Sequence, residues 1–122
     1  MARNKRFTVK EFGTFKTEFT RWQKRFGLDG YVVFFSHEPL DDCFADISVN
    51  QKEMAAKVRL NSALKEADYV DADVLGTAKH EAIHLLCERV TTYGYTRFVT
   101  KDQMYEAEEE LVRRLEGLIP DA

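Results

Sequence analysis

The sequence predicts an α+β fold in which one helix precedes, and two helices follow, a three-stranded, mainly antiparallel sheet. Three observations predict it. Apolar residues recur every three or four positions over residues 9–26, alternate with polar residues over residues 43–61, and return to helical spacing after residue 73. The 122 residues suit a single domain with one core, so residues 1–122 are taken as one unit.

The first helix has a clear start and a clear end. Thr8 and Glu11 have the spacing of a capping box. An aromatic stripe, which we interpret as core packing, follows at helical spacing and consists of Val9, Phe12, Phe15, Phe19, Trp22 and Phe26. Gly27 and Gly30 are expected to end the helix.

Three strands are predicted next. The apolar, β-rich run "YVVFF" (residues 31–35) predicts a buried strand. The loop "SHEPLDD" leads to "CFADISV" (residues 43–49), whose alternation is typical of a strand with one buried face. The segment "NQKE" is expected to be a hairpin-like connection to the third strand, "MAAKVRLN" (residues 54–61), in which Ala56, Val58 and Leu60 share one face.

The second half of the chain is predicted to be helical. Residues 61–73 are expected to form a loop or a short helical turn, followed by a helix from Asp73 to Val90. The segment "TTYGYTRFVT" is predicted to be a loop, and a last helix is expected from Lys101 to Leu118.

Composition excludes several classes of protein. The longest apolar run is too short to cross a bilayer, so no membrane association is expected. The N-terminal segment "MARNKRFTVK" lacks the apolar core and cleavage site of a secretory signal. The two cysteines, Cys43 and Cys87, are expected to be reduced thiols. Together these features predict a cytoplasmic protein.

Charge is unevenly distributed along the chain. The net charge is −3, yet residues 1–25 carry eight Lys/Arg and two Glu, whereas residues 102–122 carry seven Asp/Glu and two Arg. A basic first helix is compatible with contact to nucleic acid. We favour solvated helix faces of opposite sign, because no aromatic–basic motif or known nucleic-acid module accompanies the charge.

The stretch "KHEAIHLL" (residues 79–86) carries the chemistry. His80 and His84 are four residues apart, so both imidazoles lie on one side of a helix, a spacing that suits two nitrogen ligands of Zn²⁺. Glu81 follows the first histidine directly and points about 100° away, which suits a general base rather than a ligand. On a helical wheel the histidines lie just beyond a broad apolar arc, at the border between core and cleft.

The third ligand has to come from outside this helix. Cys87 lies seven residues from His80, about 10.5 Å along the axis, too far for both to bind one ion. His37 is a weaker candidate, and we interpret it as a loop residue. In the last helix Glu108 falls at the centre of the predicted apolar face, and a carboxylate directed at a core is costly unless it is paired or binds a metal. Glu108 is therefore predicted to bind the metal, and the alternative is that it pairs with Arg89 or Arg97 or caps a backbone group.

H-E-x-x-H on one helix with a glutamate on a following helix resembles the arrangement of glutamate-type zincins. The order of a helix, three strands, "HEAIHLL" and "EAEEELVRRLE" also resembles compact zincin-like metallopeptidases of phages and prophages, and more loosely the SprT-like and ImmA-like minimal zincin domains. The similarity covers residues 7–119 in the order of the elements, but only the motif over residues 80–86 is specific in sequence. It implies His80, His84 and Glu108 as Zn²⁺ ligands, Glu81 as the base, and the host cytoplasm as location. SprT-like domains place a further histidine downstream, and no histidine follows His84 here.

The resulting hypothesis is a zinc-dependent metallopeptidase acting on a peptide or protein substrate, in which the metal activates water and Glu81 takes its proton. The third strand is expected to be the edge to which an extended peptide adds. Tyr93, Tyr95 and Arg97 are candidates for steadying the oxyanion. Two alternatives stay open, a catalytically silent zincin-like binding or regulatory protein of a phage, and a DNA-associated protease that uses the basic first helix.

Overall fold

The computed structural model describes residues 7–64 and 73–118. Its elements are helix α1 (Val9–Arg25), strands β1 (Val32–Glu38), β2 (Ala45–Asn50) and β3 (Ala55–Asn61), and helices α2 (Val74–Tyr95) and α3 (Lys101–Glu116). The α+β class and the order of these elements are as predicted. The loop or short turn expected at residues 61–73 falls mostly on residues 65–72, which lie outside the described residues.

Helix α1 begins and ends where the sequence predicts. The Glu11 backbone N–H donates to the Thr8 hydroxyl at 3.1 Å, and the Thr8 N–H donates to the Glu11 carboxylate at 3.0 Å, so the capping box is present. Gly27 adopts φ +71°, a left-handed conformation that favours glycine and ends the helix. The stripe is confirmed as core packing at Phe15 and Phe19, which are fully buried against the sheet, whereas its first residue, Val9, is 81% exposed.

The sheet is mixed, which corrects the prediction of a mainly antiparallel sheet. Its strand order is β1-β3-β2, with β3 parallel to β1 and antiparallel to β2. Strand β3 thus lies between β1 and β2, which do not pair with each other. Asn61 helps to fix the β1–β2 connection, because its amide donates to the carbonyls of Leu40 (3.1 Å) and Cys43 (2.8 Å).

Strand β3 is therefore the centre of the sheet and not the free edge that its sequence suggested. Its apolar positions Ala56, Val58 and Leu60 are buried against the helices. Its charged positions Lys57 and Arg59 lie on the opposite, open face of the sheet, where Arg59 pairs with Glu38 and Asp46. Alternating charges in β3 thus indicate an open face, and the free edges belong to β1 and β2.

Strand β1 is an edge strand rather than a buried one. Val32 and Phe34 are 57% and 60% exposed on the open face, while their neighbours Val33 and Phe35 pack against the core. The strand also continues through residues 36–38, which the sequence suggested to be a loop. An apolar run shows β propensity, but it does not reveal how many of its faces are covered.

Helix α2 packs against α1 and β2, and α3 packs against α2. Helix α2 extends five residues beyond the predicted end at Val90. The hydroxyls of Thr91 and Thr92 bond one turn back, to the carbonyl of Cys87 at 3.2 Å and the carboxylate of Glu88 at 3.1 Å. Residues 91–95 are thus a helical continuation and not the predicted loop.

Two expectations about chemistry and environment concern the whole described chain. Cys43 and Cys87 are free thiols, as predicted. Among the helices of residues 7–64 and 73–118, no segment has the length and apolar content needed to cross a bilayer.

Candidate metal site

The motif histidines lie together on the exposed side of α2. His80 and His84 are one turn apart, and their Nε2 atoms are 3.2 Å from each other. The ring centroids are 4.8 Å apart and the rings are nearly perpendicular. Both side chains are exposed to solvent, beyond the border between core and cleft where the helical wheel placed them.

The separation of the two nitrogens matches the bite of a tetrahedral zinc site. Two Zn–N bonds of about 2.0–2.1 Å at a tetrahedral angle place the nitrogens about 3.3 Å apart. The observed 3.2 Å is close to this value. Without a metal, the same distance is that of a hydrogen bond between one protonated and one unprotonated ring nitrogen. The distance is thus compatible with two ligands of one ion and equally with a hydrogen bond between the two rings.

Glu81 lies in a different environment from the histidines on either side of it. Its side chain is only 5% exposed and faces the start of β2. Burial, and secondarily the charge of Asp46, raises the pKa of the Glu81 carboxyl to about 7. Within the described residues no hydrogen bond or ion pair stabilises this carboxylate, so its burial favours the protonated form.

A small cleft is shared by Glu81 and one of the two histidines, His80. Its volume is about 360 Å³, and both His80 and Glu81 line it. The opposite wall comes from the residues that lead into β2, Cys43 to Ala45. The cleft therefore brings together a candidate ligand and a candidate base, although their side chains leave the helix about 100° apart.

Glu108 faces solvent, which corrects the prediction of an inward-facing carboxylate. Its side chain is exposed on α3, whereas its neighbour Ala107 is buried. The helix is rotated by about 100°, one residue step, from the orientation that its apolar residues suggested. The small Ala107 faces inward, and Glu110 reaches across to pair with Arg89.

The burial argument that selected Glu108 as third ligand therefore does not hold, and its role as a ligand stays a prediction. Arg89, predicted as a possible partner of Glu108, pairs with Glu110 instead. Within residues 7–64 and 73–118, no group of three His, Cys, Asp or Glu side chains is placed to hold a metal ion. The described residues thus bring two candidate nitrogen ligands together, and the zinc site stays a prediction.

The other sequence-based candidates lie elsewhere. His37 is in β1 and not in a loop, and its ring stacks on Phe12 at 4.9 Å between centroids. Tyr93 is nine residues beyond His84 in the same helix, a distance of about 14 Å, and its hydroxyl accepts a hydrogen bond from Arg89. Tyr95 and Arg97 are exposed beyond it, so nothing places these three side chains at the histidine pair.

Cys43 is the residue in the cleft that sequence reasoning did not select. Its thiol lies in the wall opposite Glu81, and burial, with Asp46 and Glu81 contributing, raises its pKa. Its position in the chain, before an alternating strand, carried no sign of proximity to the motif. Only the packing of β2 on α2 brings the two together.

Comparison of the chain with protein-family models, with curated proteins and with solved structures gave no match.

Proposed function

We propose that the protein is a zinc-dependent peptidase in which His80 and His84 hold the metal and Glu81 acts as the general base. The observation that carries the proposal is the 3.2 Å separation of the two Nε2 atoms, which suits one zinc ion. Glu81 adds to it, because its buried carboxyl lines the same cleft as His80. The cytoplasm, the location expected from the sequence, belongs to this proposal.

Each side chain has a distinct task in the proposed reaction. Zinc, when bound, would polarise the scissile carbonyl and make water more acidic. Glu81, with a pKa of about 7, accepts the proton of the attacking water and delivers it to the departing amine. A cation bound nearby lowers the pKa of this carboxyl, so the base is ionised at neutral pH when the site is loaded.

An extended peptide would add to β2 rather than to the third strand. Strand β2 pairs with β3 on one side only, so within the described fold its other edge is free. It is also the strand that packs against α2, and the residues leading into it line the cleft with Glu81. Backbone hydrogen bonds along that edge would present a scissile bond to the cleft.

Zinc content and hydrolysis, measured together, test the proposal. Purified protein is reconstituted with zinc, dialysed and analysed for metal, and a broad peptide library reports cleavage. Wild type should retain zinc and cleave, and Glu81→Gln should retain zinc without cleaving. His84→Ala should bind zinc at least about tenfold more weakly, because one of two nitrogens is lost. His37→Ala is the matched control, a histidine removed outside the pair.

A protein that stays free of metal after reconstitution would remove the basis for the proposal. Cleavage by Glu81→Gln at the wild-type rate would remove the role of the base while leaving the metal site intact.

A second candidate is a zinc-holding binding protein without hydrolytic activity. The observation in its favour is the exposure of both histidines, because catalytic metals usually lie in sites that exclude bulk water. This candidate predicts zinc retention by wild type and Glu81→Gln alike, with no peptide cleaved by either.

A further inference from the structure

A groove lies on the protein surface where the three helices meet. We call it the Trp22 groove, and it is lined by Trp22, Arg25, Phe26, Lys79, Ile83, Leu86, Leu115 and Leu118. Its volume is about 270 Å³, below the roughly 300–1,000 Å³ of small-molecule pockets. Ile83 and Leu115 are 40% and 37% exposed, so the apolar lining is open to solvent. The groove has the size for one large apolar side chain.

Three cations surround the tryptophan at the edge of this groove. The charged groups of Arg21, Arg25 and Lys79 lie 4.8, 5.2 and 5.0 Å from the Trp22 ring centroid. The ring attracts each of them, but the cations repel one another. Three like charges therefore gather at one aromatic ring.

Within residues 7–64 and 73–118, Arg21 alone among these three cations has a carboxylate partner. Arg21 pairs with Glu18, which also accepts a hydrogen bond from the Trp22 indole N–H at 3.1 Å. Arg25 and Lys79 have no carboxylate partner in the part of the chain that the structure describes. The Trp22 groove is thus an apolar depression flanked by two positive charges that have no carboxylate partner among the described residues. The net charge of the whole chain, by contrast, is −3.

We propose that the Trp22 groove is a docking site for an acidic peptide segment with an apolar anchor residue. The anchor fills the groove and removes Ile83 and Leu115 from water, which is the favourable apolar term. Flanking carboxylates reach Arg25 and Lys79 and supply the missing opposite charge, which sets the sign of the partner.

A nucleic acid is the other anionic partner that these cations would attract, and the geometry favours it less. Base stacking needs an open aromatic face, whereas cations lie over the Trp22 ring. Phosphates would also leave the apolar lining of the groove exposed to water, with no compensating contact. A peptide uses both the charged and the apolar parts of the groove.

The docking site does not depend on the proposed zinc site. Lys79 and Ile83 each directly precede a motif histidine, but neither histidine lines the groove. Binding can therefore be measured in the presence of a chelator. Failure of the groove proposal would leave the peptidase proposal untouched, and the reverse also holds.

Trp22 is the only tryptophan in the chain, so its fluorescence reports on the groove directly. The full-length protein is titrated with a synthetic heptapeptide that has a central leucine flanked by glutamates. Three comparison probes are an analogue with serine for leucine, an analogue with lysines for glutamates, and a single-stranded oligothymidylate. Calorimetry on the same samples gives an independent affinity.

We expect the glutamate–leucine peptide to shift the Trp22 emission and to bind with micromolar or weaker affinity, as suits a small interface. Lys79→Glu should weaken binding by about tenfold, and the loss should shrink at high salt. Lys52→Glu, the same charge change on the exposed β2–β3 turn, is the matched control and should bind like wild type. Both lysines are exposed, so both variants should fold, which circular dichroism checks.

Four results would overturn the proposal. The first is that the glutamate–leucine peptide does not bind at millimolar concentration, and the second is that the serine analogue binds as tightly as that peptide. The third is that Lys79→Glu binds the peptide as tightly as wild type does, and the fourth is that the oligothymidylate binds more tightly than the peptide. The second would show that charge alone attracts the peptide. The last would assign the surface to nucleic acid.

Discussion

Adjacent residues of the motif occupy opposite environments. His80 is in solvent and Glu81 is in the interior, because one residue step turns the side-chain direction by about 100° on α2. An ion bound by the two histidines would therefore lie outside the core. Burial destabilises the ionised form of the Glu81 carboxyl. Its pKa therefore differs between the folded and the unfolded state.

Glu81 should give the metal-free protein a characteristic dependence of stability on pH. Its native pKa of about 7 lies above the ordinary value of 4.5. Between these values the folded state holds a proton that the unfolded state has released, so the free energy of unfolding falls as pH rises. The loss should be about 2 kcal/mol, allowing for partial solvent screening. Glu81→Gln should lack this component.

Urea unfolding with a chelator present, across pH 4.5 to about 7, measures the effect as the difference between the two proteins. Glu108→Gln serves as control, since it removes an exposed carboxylate from the same chain. Parallel curves for wild type and Glu81→Gln would contradict the buried position of Glu81.

The exposed position of Glu108 leads to a prediction about zinc affinity. Glu108→Gln should bind zinc as wild type does, because the carboxylate lies on the outer side of α3. His84→Ala, measured alongside by competition with a chromophoric chelator, should lose at least about tenfold in affinity. A loss of that size in Glu108→Gln would instead restore Glu108 as the third ligand.

Among the elements, α3 departs most from its sequence pattern. Its apolar residues Met104, Leu111, Val112 and Leu115 centre on Glu108, yet Val112 and Leu115 are more than one-third exposed. The buried position is Ala107, whose small side chain allows close approach, and Glu110 reaches Arg89 from the same side. Close packing and a charge pair across the interface decide the rotation of this helix, and neither is a property of the helix alone.

Substitution by leucine distinguishes the two orientations of α3. Ala107→Leu should overpack the interface and lower stability by about 1–3 kcal/mol, a fall in Tm on the order of 5–10 °C. Glu108→Leu, the matched control one residue away, should change stability by no more than about 0.5 kcal/mol. Thermal unfolding followed by circular dichroism measures both, and the reverse ranking would show that α3 packs as its apolar pattern suggests.

At the scale of the whole molecule, a charged network joins the three helices. Arg114 of α3 donates to the carbonyls of Phe26 (2.7 Å) and Gly27 (2.8 Å) at the end of α1 and to Glu110 at 3.2 Å. Glu110 in turn pairs with Arg89 of α2. The last helix is thereby attached to the first, 88 residues earlier in the chain.

Removal of Arg114 should loosen this attachment. Arg114→Ala should cost about 2 kcal/mol, because two carbonyls at a helix end lose a charged donor and Glu110 loses one of its partners. Arg113→Ala, at the exposed neighbouring position, should stay within about 0.5 kcal/mol of wild type. Denaturant unfolding gives both values, and equal effects would mean that the network contributes nothing measurable.

The location of the candidate site could be read from the sequence only in part. The H-E-x-x-H spacing correctly placed both histidines on one side of a helix, since helical geometry alone fixes that relation. Cys43 could not be found in this way, because its proximity to Glu81 depends on how β2 packs on α2. The cations at Trp22 likewise come from two helices, and Arg25 and Lys79 are more than fifty residues apart in the chain. No local sequence motif therefore predicts that they meet.

Local sequence patterns were sufficient to derive the α+β class, the order of the elements, the capped start of α1 and the pairing of His80 with His84. These features depend on interactions between residues close in sequence, and such interactions produce a regular spacing of apolar and polar residues. Three further features are evident only in the folded protein: β3 is central, Glu81 is buried, and α3 packs with Ala107 rather than Glu108 facing inward. These three features depend on side-chain volume and charge in segments that are distant along the chain. The sequence of one segment does not show which other segment packs against it.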